Sequence, residues 1–145
     1  MSLHWILVLT VTLLHILTAQ TVPVNGIYED MKRSIDVLQK ADCKEHDAEF
    51  YSPSGTDGCI SNALKCHMLE LKSVGGECFN PNSDDLKHVY RTKAYIEFIL
   101  HPVSQEQANL KHCSCEKNLK TYKEFISNIW TLVQKLNSSR ELKEA

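Results

Sequence analysis

The clearest structural signal in the chain is residues 115–136, CEKNLKTYKEFISNIWTLVQKL. Apolar side chains recur there at alternating steps of three and four, which is the spacing of one face of an α-helix. On the opposite, solvent-facing side, two pairs of oppositely charged residues four apart would stabilise the helix: Glu116 with Lys120 and Lys120 with Glu124. The pattern predicts a long amphipathic helix, with an apolar face formed by Cys115, Leu119, Tyr122, Ile126, Ile129, Val133 and Leu136.

Three further segments show helical spacing, so we predict an all-α chain of four helices. The first predicted helix is Asn25–Lys40, and the second is Cys59–Val74, which the glycine pair at 75–76 would end. The third predicted helix begins after the candidate N-cap Ser83 and stops before Pro102, because the residue ahead of a proline disfavours helical geometry.

The lengths of the connections restrict the topology. Residues 75–83 form a short link, which makes the second and third helices antiparallel neighbours. The first connection, 41–58, and the last, 101–114, are much longer. Two long links around a short one are typical of an up-up-down-down four-helix bundle, whereas an up-down-up-down bundle can be built with short links only. We therefore predict a four-helix bundle of the up-up-down-down type.

The N-terminus has the features of a secretion signal. Residues 3–19 contain no Lys, Arg, Asp or Glu, and the apolar block Trp5–Leu14 is followed by small residues ahead of Gln20. An uncleaved anchor is the alternative, but two histidines interrupt this stretch, which is shorter than the roughly 20 apolar residues that span a bilayer. The predicted domains are a signal peptide, 1–19, and a secreted, extracellular four-helix domain, 20–145.

Six cysteines in an oxidising compartment predict a disulfide framework. Sequence alone does not choose among the possible pairings. The two cysteines seven apart on the second helix share a face, and the two at the entry to the fourth helix lie close together. Joining one pair to the other, for example through Cys59–Cys113, would clamp the two helices and leave a third bridge between loops. The cysteines are Cys43, Cys59, Cys66, Cys78, Cys113 and Cys115.

Charge and motifs argue against several classes of function. The chain has 16 Lys+Arg against 18 Asp+Glu, so it lacks the basic balance of a nucleic-acid binder. The motifs of serine hydrolases, zinc proteases and phosphate-binding loops do not occur. His46 fits a solvated loop, and His67 lies on the apolar face of the second helix, where a satisfied core or boundary histidine is expected. The Cys-x-Cys spacing is unlike that of zinc sites, so we predict no enzyme, metal or cofactor.

Two stretches resemble the interleukin-2/interleukin-15 family of cytokines. Residues 59–71, CISNALKCHMLEL, are similar to helix B of interleukin-15, where two cysteines seven apart precede Leu-Leu-Glu-Leu. Residues 115–119 and parts of 123–134 resemble the helix D region of interleukin-15 and interleukin-21. Asn137-Ser-Ser stands where interleukin-15 carries a similar sequon, which predicts glycosylation at Asn137. The resemblance covers both ends and the centre of the mature chain and is weakest over 75–112.

The resemblance implies a monomeric cytokine bundle with disulfides that brings together the beta and common gamma receptor chains and so triggers Janus-kinase signalling in lymphocytes. An alpha chain of the sushi type is a further candidate partner. It implies that Gln134 contacts the gamma chain, Asp30 the beta chain and Glu70 the alpha chain. Trp130, one turn before Gln134 and off the apolar face, would add an aromatic anchor beside the amide. The alternatives are that Trp130 belongs to the core, that Gln134 and Glu70 are plain surface, and that Asp30 is a first-turn acid that complements the helix dipole.

The chain also departs from the family. Cys113-Ser-Cys115 replaces a Cys-x-x-Cys, the Cys43 and Cys78 pair is additional, and His88 falls near the asparagine that helix C uses for the beta chain. The alternative function is a secreted six-cysteine helical carrier of small apolar ligands, like the insect odorant-binding proteins, although their cysteine spacings do not occur here. A secreted host-defence protein is disfavoured by the slightly acidic charge.

Overall fold

The computed structural model describes residues 3–8, 24–56, 58–101, 113–115 and 118–144. It divides into two units, Met1–Asp30 and Met31–Ala145. In the first unit, residues 3–8 are helical (α1) and their side chains are exposed. The predicted cleavage position before Gln20 lies outside the described residues. Among the residues that are described, no helix is both long and apolar enough to cross a membrane.

The chain is mostly helical, with three disulfides. Two short strands, which the sequence analysis did not predict, pair antiparallel, with Phe50 opposite Lys120. They form a ribbon between the two long connections. In chain order the elements after α1 are α2 (Val24–Lys40), β1 (Glu49–Tyr51), α3 (Ile60–Cys78), α4 (Asp84–Leu100), β2 (Leu119–Thr121) and α5 (Tyr122–Glu144).

Helix α3 is longer than predicted, because it continues through Gly75 and Gly76 and ends at Cys78. A Cβ atom on Gly75 would lie 2.9 Å from Cδ1 of Leu86 on α4. The absence of a side chain therefore lets α4 approach α3 closely. The prediction that the glycine pair ends the helix was wrong, because packing between two helices outweighs a cost of about 1 kcal/mol per glycine in helix propensity.

Helix α5 begins at Tyr122, seven residues later than predicted. Leu119 lies in β2 and is 51% exposed, so the prediction that it belongs to the apolar face was wrong. Lys120 is in the same strand and cannot form the helical pairs with Glu116 and Glu124. Hydrogen bonding to β1, from a distant part of the chain, takes these residues out of the helix. Cys115 also lies outside the helix and is only partly buried. From Tyr122 onward the predicted face is buried: Tyr122, Ile126, Ile129, Val133 and Leu136.

Helix α4 follows the local prediction closely. Ser83 is its N-cap, and the Ser83 hydroxyl accepts a hydrogen bond from the backbone N–H of Leu86 at 3.2 Å. Asp84 and Asp85 occupy the first turn, where carboxylates interact favourably with the helix dipole. The predicted cap is confirmed.

The core of the second unit is formed by side chains from the second-unit part of α2, from α3, α4 and α5, and from β1. The Phe50 ring of β1 packs against Phe125 of α5 with 5.7 Å between ring centroids. Burial of such large apolar side chains contributes about 1.5–3 kcal/mol each to folding. The largest fully buried ones are Phe50, Phe125, Met31, Ile35, Leu38, Leu64, Leu71, Ile96, Ile126, Ile129 and Leu132.

The disulfides are Cys43–Cys78, Cys59–Cys113 and Cys66–Cys115. Two of them join α3 to the segment that precedes β2, and these close sequence separations of 54 and 49 residues. In the chain-entropy description, loops of this size destabilise the unfolded state by roughly 4 kcal/mol each. No cysteine is left free.

Four helix ends meet in the second unit. Cys43, just after α2, is bonded to Cys78 at the end of α3. The Tyr122 ring at the start of α5 lies edge-on to Phe79, with centroids 5.7 Å apart. The Tyr122 hydroxyl donates a hydrogen bond to the carbonyl oxygen of Leu38, near the end of α2. Since α4 begins a short distance after Phe79, the ends of α2 and α3 and the starts of α4 and α5 lie together.

Candidate functional site

Trp130 and Gln134 form one small surface on α5. They are one helical turn apart, and Ile129 and Val133 beside them are fully buried. Gln134 is exposed and Trp130 is partly buried. The tryptophan therefore lies at the edge of the core, between the two predicted alternatives, while the amide next to it is open to solvent. An aromatic side chain held by packing beside an exposed amide is a typical binding anchor.

A seam between α2 and α5 lies near the start of α5. The Lys123 ammonium donates hydrogen bonds to the carbonyl oxygens of Gln39 and Ala41, and it lies 3.5 Å from the carboxylate of Asp42. The Gln39 amide donates to the Ser127 hydroxyl at 2.8 Å. A cation at the C-terminal end of α2 satisfies carbonyls that have no partner within the helix. These contacts hold the end of α2 against α5.

Asp30 lies on α2 in the first unit, and its side chain is exposed. The first turn of α2 contains no acidic residue, because the helix begins at Val24. The alternative interpretation of Asp30 as a first-turn acid was therefore wrong.

Glu70 on α3 is partly buried and contacts β1. Its carboxylate accepts a hydrogen bond from the backbone N–H of Tyr51. Burial raises the pKa of Glu70, the Tyr51 hydrogen bond acts in the opposite direction, and the charge of Glu77 adds to the increase. Tyr51 pairs with Leu119 across the ribbon, and both side chains are exposed. Glu70 is thus an acid beside an apolar ribbon surface, rather than a plain solvated helix residue.

A buried polar cluster, which we call the His67 cluster (Ser52, His67 and Asn128), joins three elements. His67 is fully buried; its Nδ1 lies 2.8 Å from the carbonyl oxygen of Ala63 and its Nε2 lies 2.7 Å from the Ser52 hydroxyl. The Asn128 amide donates to the Ser52 hydroxyl at 2.9 Å and to the carbonyl oxygen of Pro53 at 3.1 Å. The prediction of a satisfied core histidine is confirmed. Its partners were missed because they lie far away in sequence.

The His67 cluster resembles a nucleophile with its base, and burial argues against that role. Burial lowers the pKa of His67 to about 4, so the ring is neutral, with Nδ1–H donating to Ala63 and Nε2 accepting from Ser52. The Ser52 residue is 1% exposed, which leaves no approach for a substrate carbonyl. We interpret the His67 cluster as structural: its hydrogen bonds hold the segment after β1 against α3 and α5.

The remaining predicted positions are Asn137 and His46. Asn137 lies within α5 and is partly buried, and the hydroxyl of Ser139 in the same sequon donates to the carbonyl oxygen of Leu136 at 2.8 Å. His46 is exposed, as expected for a loop residue. In the described part of the chain, no group of three or more His, Cys, Asp and Glu residues could hold a metal ion.

No protein-family model matches this chain, and no curated protein matches it significantly. A functional proposal therefore depends on the geometry above together with the motif resemblance in α3 and α5.

Proposed function

We propose that the chain is a secreted four-helix cytokine of the interleukin-2/interleukin-15 type. It brings together a beta chain and the common gamma chain, with an alpha chain as a third candidate partner. Catalysis by the cytokine is not needed, because kinases carried by two adjacent receptor chains phosphorylate each other. The observation that carries this proposal is the meeting of the four helix ends.

The meeting of these ends supports an up-up-down-down bundle. Helices α2 and α3 both end near the Cys43–Cys78 disulfide, so they run in the same direction. Helices α4 and α5 both start there and run back. An up-up-down-down bundle needs two long connections, and the β1–β2 ribbon pairs residues from both of them. This connectivity is the one that distinguishes helical cytokines from simple up-and-down bundles.

The gamma-chain contact is assigned to Trp130 and Gln134. In the family this surface combines helices A and D, and the α2–α5 seam supports that pairing through Lys123 and the Gln39–Ser127 hydrogen bond. A beta-chain contact in the first unit is assigned to Asp30, on the resemblance alone. Within the second unit, His88 of α4 lies 3.2 Å from the Ser34 hydroxyl of α2, so α4 and this part of α2 are neighbours, as helices A and C are in the family.

The alpha-chain contact is assigned to Glu70 with the exposed ribbon residues Tyr51 and Leu119. A carboxylate rimmed by apolar side chains suits a basic partner surface, because the apolar rim excludes water from the ion pair. Secretion is supported by the three disulfides, which persist in oxidising compartments. The sequon at Asn137 would then carry a glycan.

The alternative, a carrier of small apolar ligands, needs an enclosed apolar cavity. Two grooves formed by described residues of the second unit, one beside β2 and α5 and one beside Phe98, are instead open to solvent. The groove beside β2 and α5 is lined mostly by hydroxyl, amide and charged side chains, including Ser54, Asn118 and Lys120. A lipid that stays bound in a native mass spectrum would favour the carrier over the cytokine.

The test is binding of oxidised 20–145 to immobilised beta and gamma ectodomains from the same species, with and without the alpha chain. We expect assembly of the receptor pair. Gln134→Ala should keep the helical circular-dichroism spectrum and weaken gamma-chain recruitment by roughly tenfold or more. Asn82→Ala, which removes an exposed amide from the α3–α4 link, is the matched control. A correctly bonded protein that recruits neither chain would contradict the function and leave the fold standing.

A further inference from the structure

Tyr51 is exposed on the outer side of the β1–β2 ribbon. The side chains of β1 alternate, so Glu49 and Tyr51 share one side while Phe50 between them enters the core. Tyr51 is 42% exposed, and Leu119, with which it pairs across the ribbon, is exposed as well. The phenol of Tyr51 is therefore held at the surface by a paired strand, where an enzyme can reach it.

The charge around Tyr51 is of one sign. Residues 45–64 contain no Lys or Arg, whereas acidic residues stand two, four and six positions before the tyrosine. These three acidic residues are exposed: Glu45, Asp47 and Glu49. The carboxylate of Glu70 accepts a hydrogen bond from the backbone N–H of Tyr51 and adds a further negative charge. Lys120, the basic residue of β2, pairs with Phe50 and so belongs to the other side of the ribbon.

A second exposed tyrosine lies in the opposite setting. Tyr90 of α4 is 59% exposed, more than Tyr51. Residues 87–93 around it contain three basic residues and no acidic one. Exposure alone would favour Tyr90 as a site of modification, whereas acidic surroundings favour Tyr51. The two tyrosines therefore separate these criteria within one chain.

We propose that Tyr51 is a tyrosine sulfation site, modified in the secretory pathway by a sulfotransferase that uses a sulfonucleotide donor. The phenol oxygen of Tyr51 attacks the sulfur of the donor. A new O–S bond forms, the bond from sulfur to the phosphate oxygen of the donor breaks, and the phenolic proton passes to a base of the enzyme. An enzyme that holds this polyanionic donor needs a positively charged active site, and an acidic acceptor segment is attracted to such a site.

This inference rests on the proposed function in one respect, because the chain must enter the secretory pathway to meet the enzyme. It also deepens that function. The sulfate ester would add a negative charge to the ribbon surface that contains Glu70, which is the surface assigned to the alpha chain. Sulfation would thus make this surface more acidic toward a basic partner.

The first test combines the oxidised chain, made without modification, with a purified tyrosine sulfotransferase and its sulfonucleotide donor. We expect the intact mass to increase by one SO₃ group, and fragmentation that preserves the ester to place this group on Tyr51. Tyr51→Phe should abolish the transfer, whereas Tyr90→Phe should leave it unchanged. Because the reaction needs no secretion, it tests the acceptor separately from the proposed function.

The charge requirement is tested with paired double variants. D47N/E49Q removes two of the acids that precede Tyr51, so it should slow transfer about tenfold or more through lost attraction to a basic active site. D36N/E97Q removes one exposed Asp and one exposed Glu at other positions and should leave the rate unchanged. Equal rates for the two double variants would overturn the proposal.

The second test is the intact mass of the chain secreted by cells that contain a tyrosine sulfotransferase, after enzymatic deglycosylation. The added SO₃ should resist alkaline phosphatase and should disappear when chlorate blocks synthesis of the donor. No transfer to the oxidised chain, transfer to Tyr90 in place of Tyr51, or a secreted chain without sulfate would each overturn the proposal. A chain that is sulfated at Tyr51 and recruits no receptor chain would contradict the cytokine function and leave the sulfation site standing.

Discussion

The burial of His67 predicts that the protein loses stability in mild acid. Burial lowers the pKa of His67 from 6.5 to about 4, and the hydrogen bond to Ala63 opposes this only in part. The unfolded chain therefore takes up a proton at a higher pH than the folded chain does. The stabilisation from neutral His67 is complete above pH 6.5, declines as the pH falls toward 4, and does not decline further below that.

The magnitude follows from the two pKa values. One pH unit corresponds to about 1.36 kcal/mol per proton, so the interval from 6.5 to about 4 amounts to a loss of about 3 kcal/mol. At about pH 5 the expected loss is roughly 2 kcal/mol, because most of that interval has been crossed. A loss of this size is a large fraction of the 5–15 kcal/mol that is typical of a whole domain.

The assay is urea unfolding of the oxidised chain, followed by circular dichroism at about pH 7.5 and about pH 5. His67→Gln cannot take up this proton, so its free energy of unfolding should fall by about 2 kcal/mol less than that of the original between these conditions. His46→Gln, the same substitution at an exposed position, is the matched control. If His67→Gln loses as much stability in acid as the original chain, the buried neutral histidine is not the cause.

Three further predictions concern a glycine turn, the disulfides and the sequon. Gly55 has a φ of +64°, and a Cβ atom there would lie 2.3 Å from Cδ2 of Leu132, so Gly55→Ala should lower the free energy of unfolding by about 2 kcal/mol or more. Gly58 has a φ of +84° but lies in open space, so Gly58→Ala should lower it less. Equal losses for the two variants would argue against the clash with Leu132. The intact mass should lie two hydrogens per disulfide, six in all, below that of the reduced chain, and a thiol that reacts with an alkylating reagent without prior reduction would contradict this. Asn137→Gln should abolish the mobility shift that enzymatic deglycosylation produces in the secreted protein, and an unchanged shift would place the glycan elsewhere.

Some features of the fold were predictable because their causes are local. The Ser83 cap, the acidic first turn of α4 and the apolar face of α5 from Tyr122 onward depend on residues within a turn or two of one another. The same holds for the Trp130 and Gln134 surface, since positions four apart share a helix face. The Asn137 sequon is local as well. Periodicity and spacing carry this information directly.

Other features depend on contacts between distant parts of the chain. Leu119 was assigned to a helix by its spacing, and pairing with Tyr51 places it in a strand. From the sequence alone, Glu70 is predicted to be a solvated helix residue. In the structure, its carboxylate accepts a hydrogen bond from the backbone of Tyr51, which makes it part of the ribbon surface. No pattern near His67 reveals Ser52 or Asn128, because these partners are brought to it by the fold.

The sequence by itself determined the helical class, five of the helix boundaries to within a residue or two, and the even set of cysteines in a chain that has an apolar N-terminal stretch. Only the tertiary structure decided which cysteines pair, where α5 begins, and that α3 runs on through Gly75 to Cys78. The physical reason is that spacing records which face of an element is apolar, and says nothing of which surface covers it. The covering surface is set by contacts between distant residues: Leu86 packs against Gly75, β1 pairs with β2, and His67 contacts Ser52.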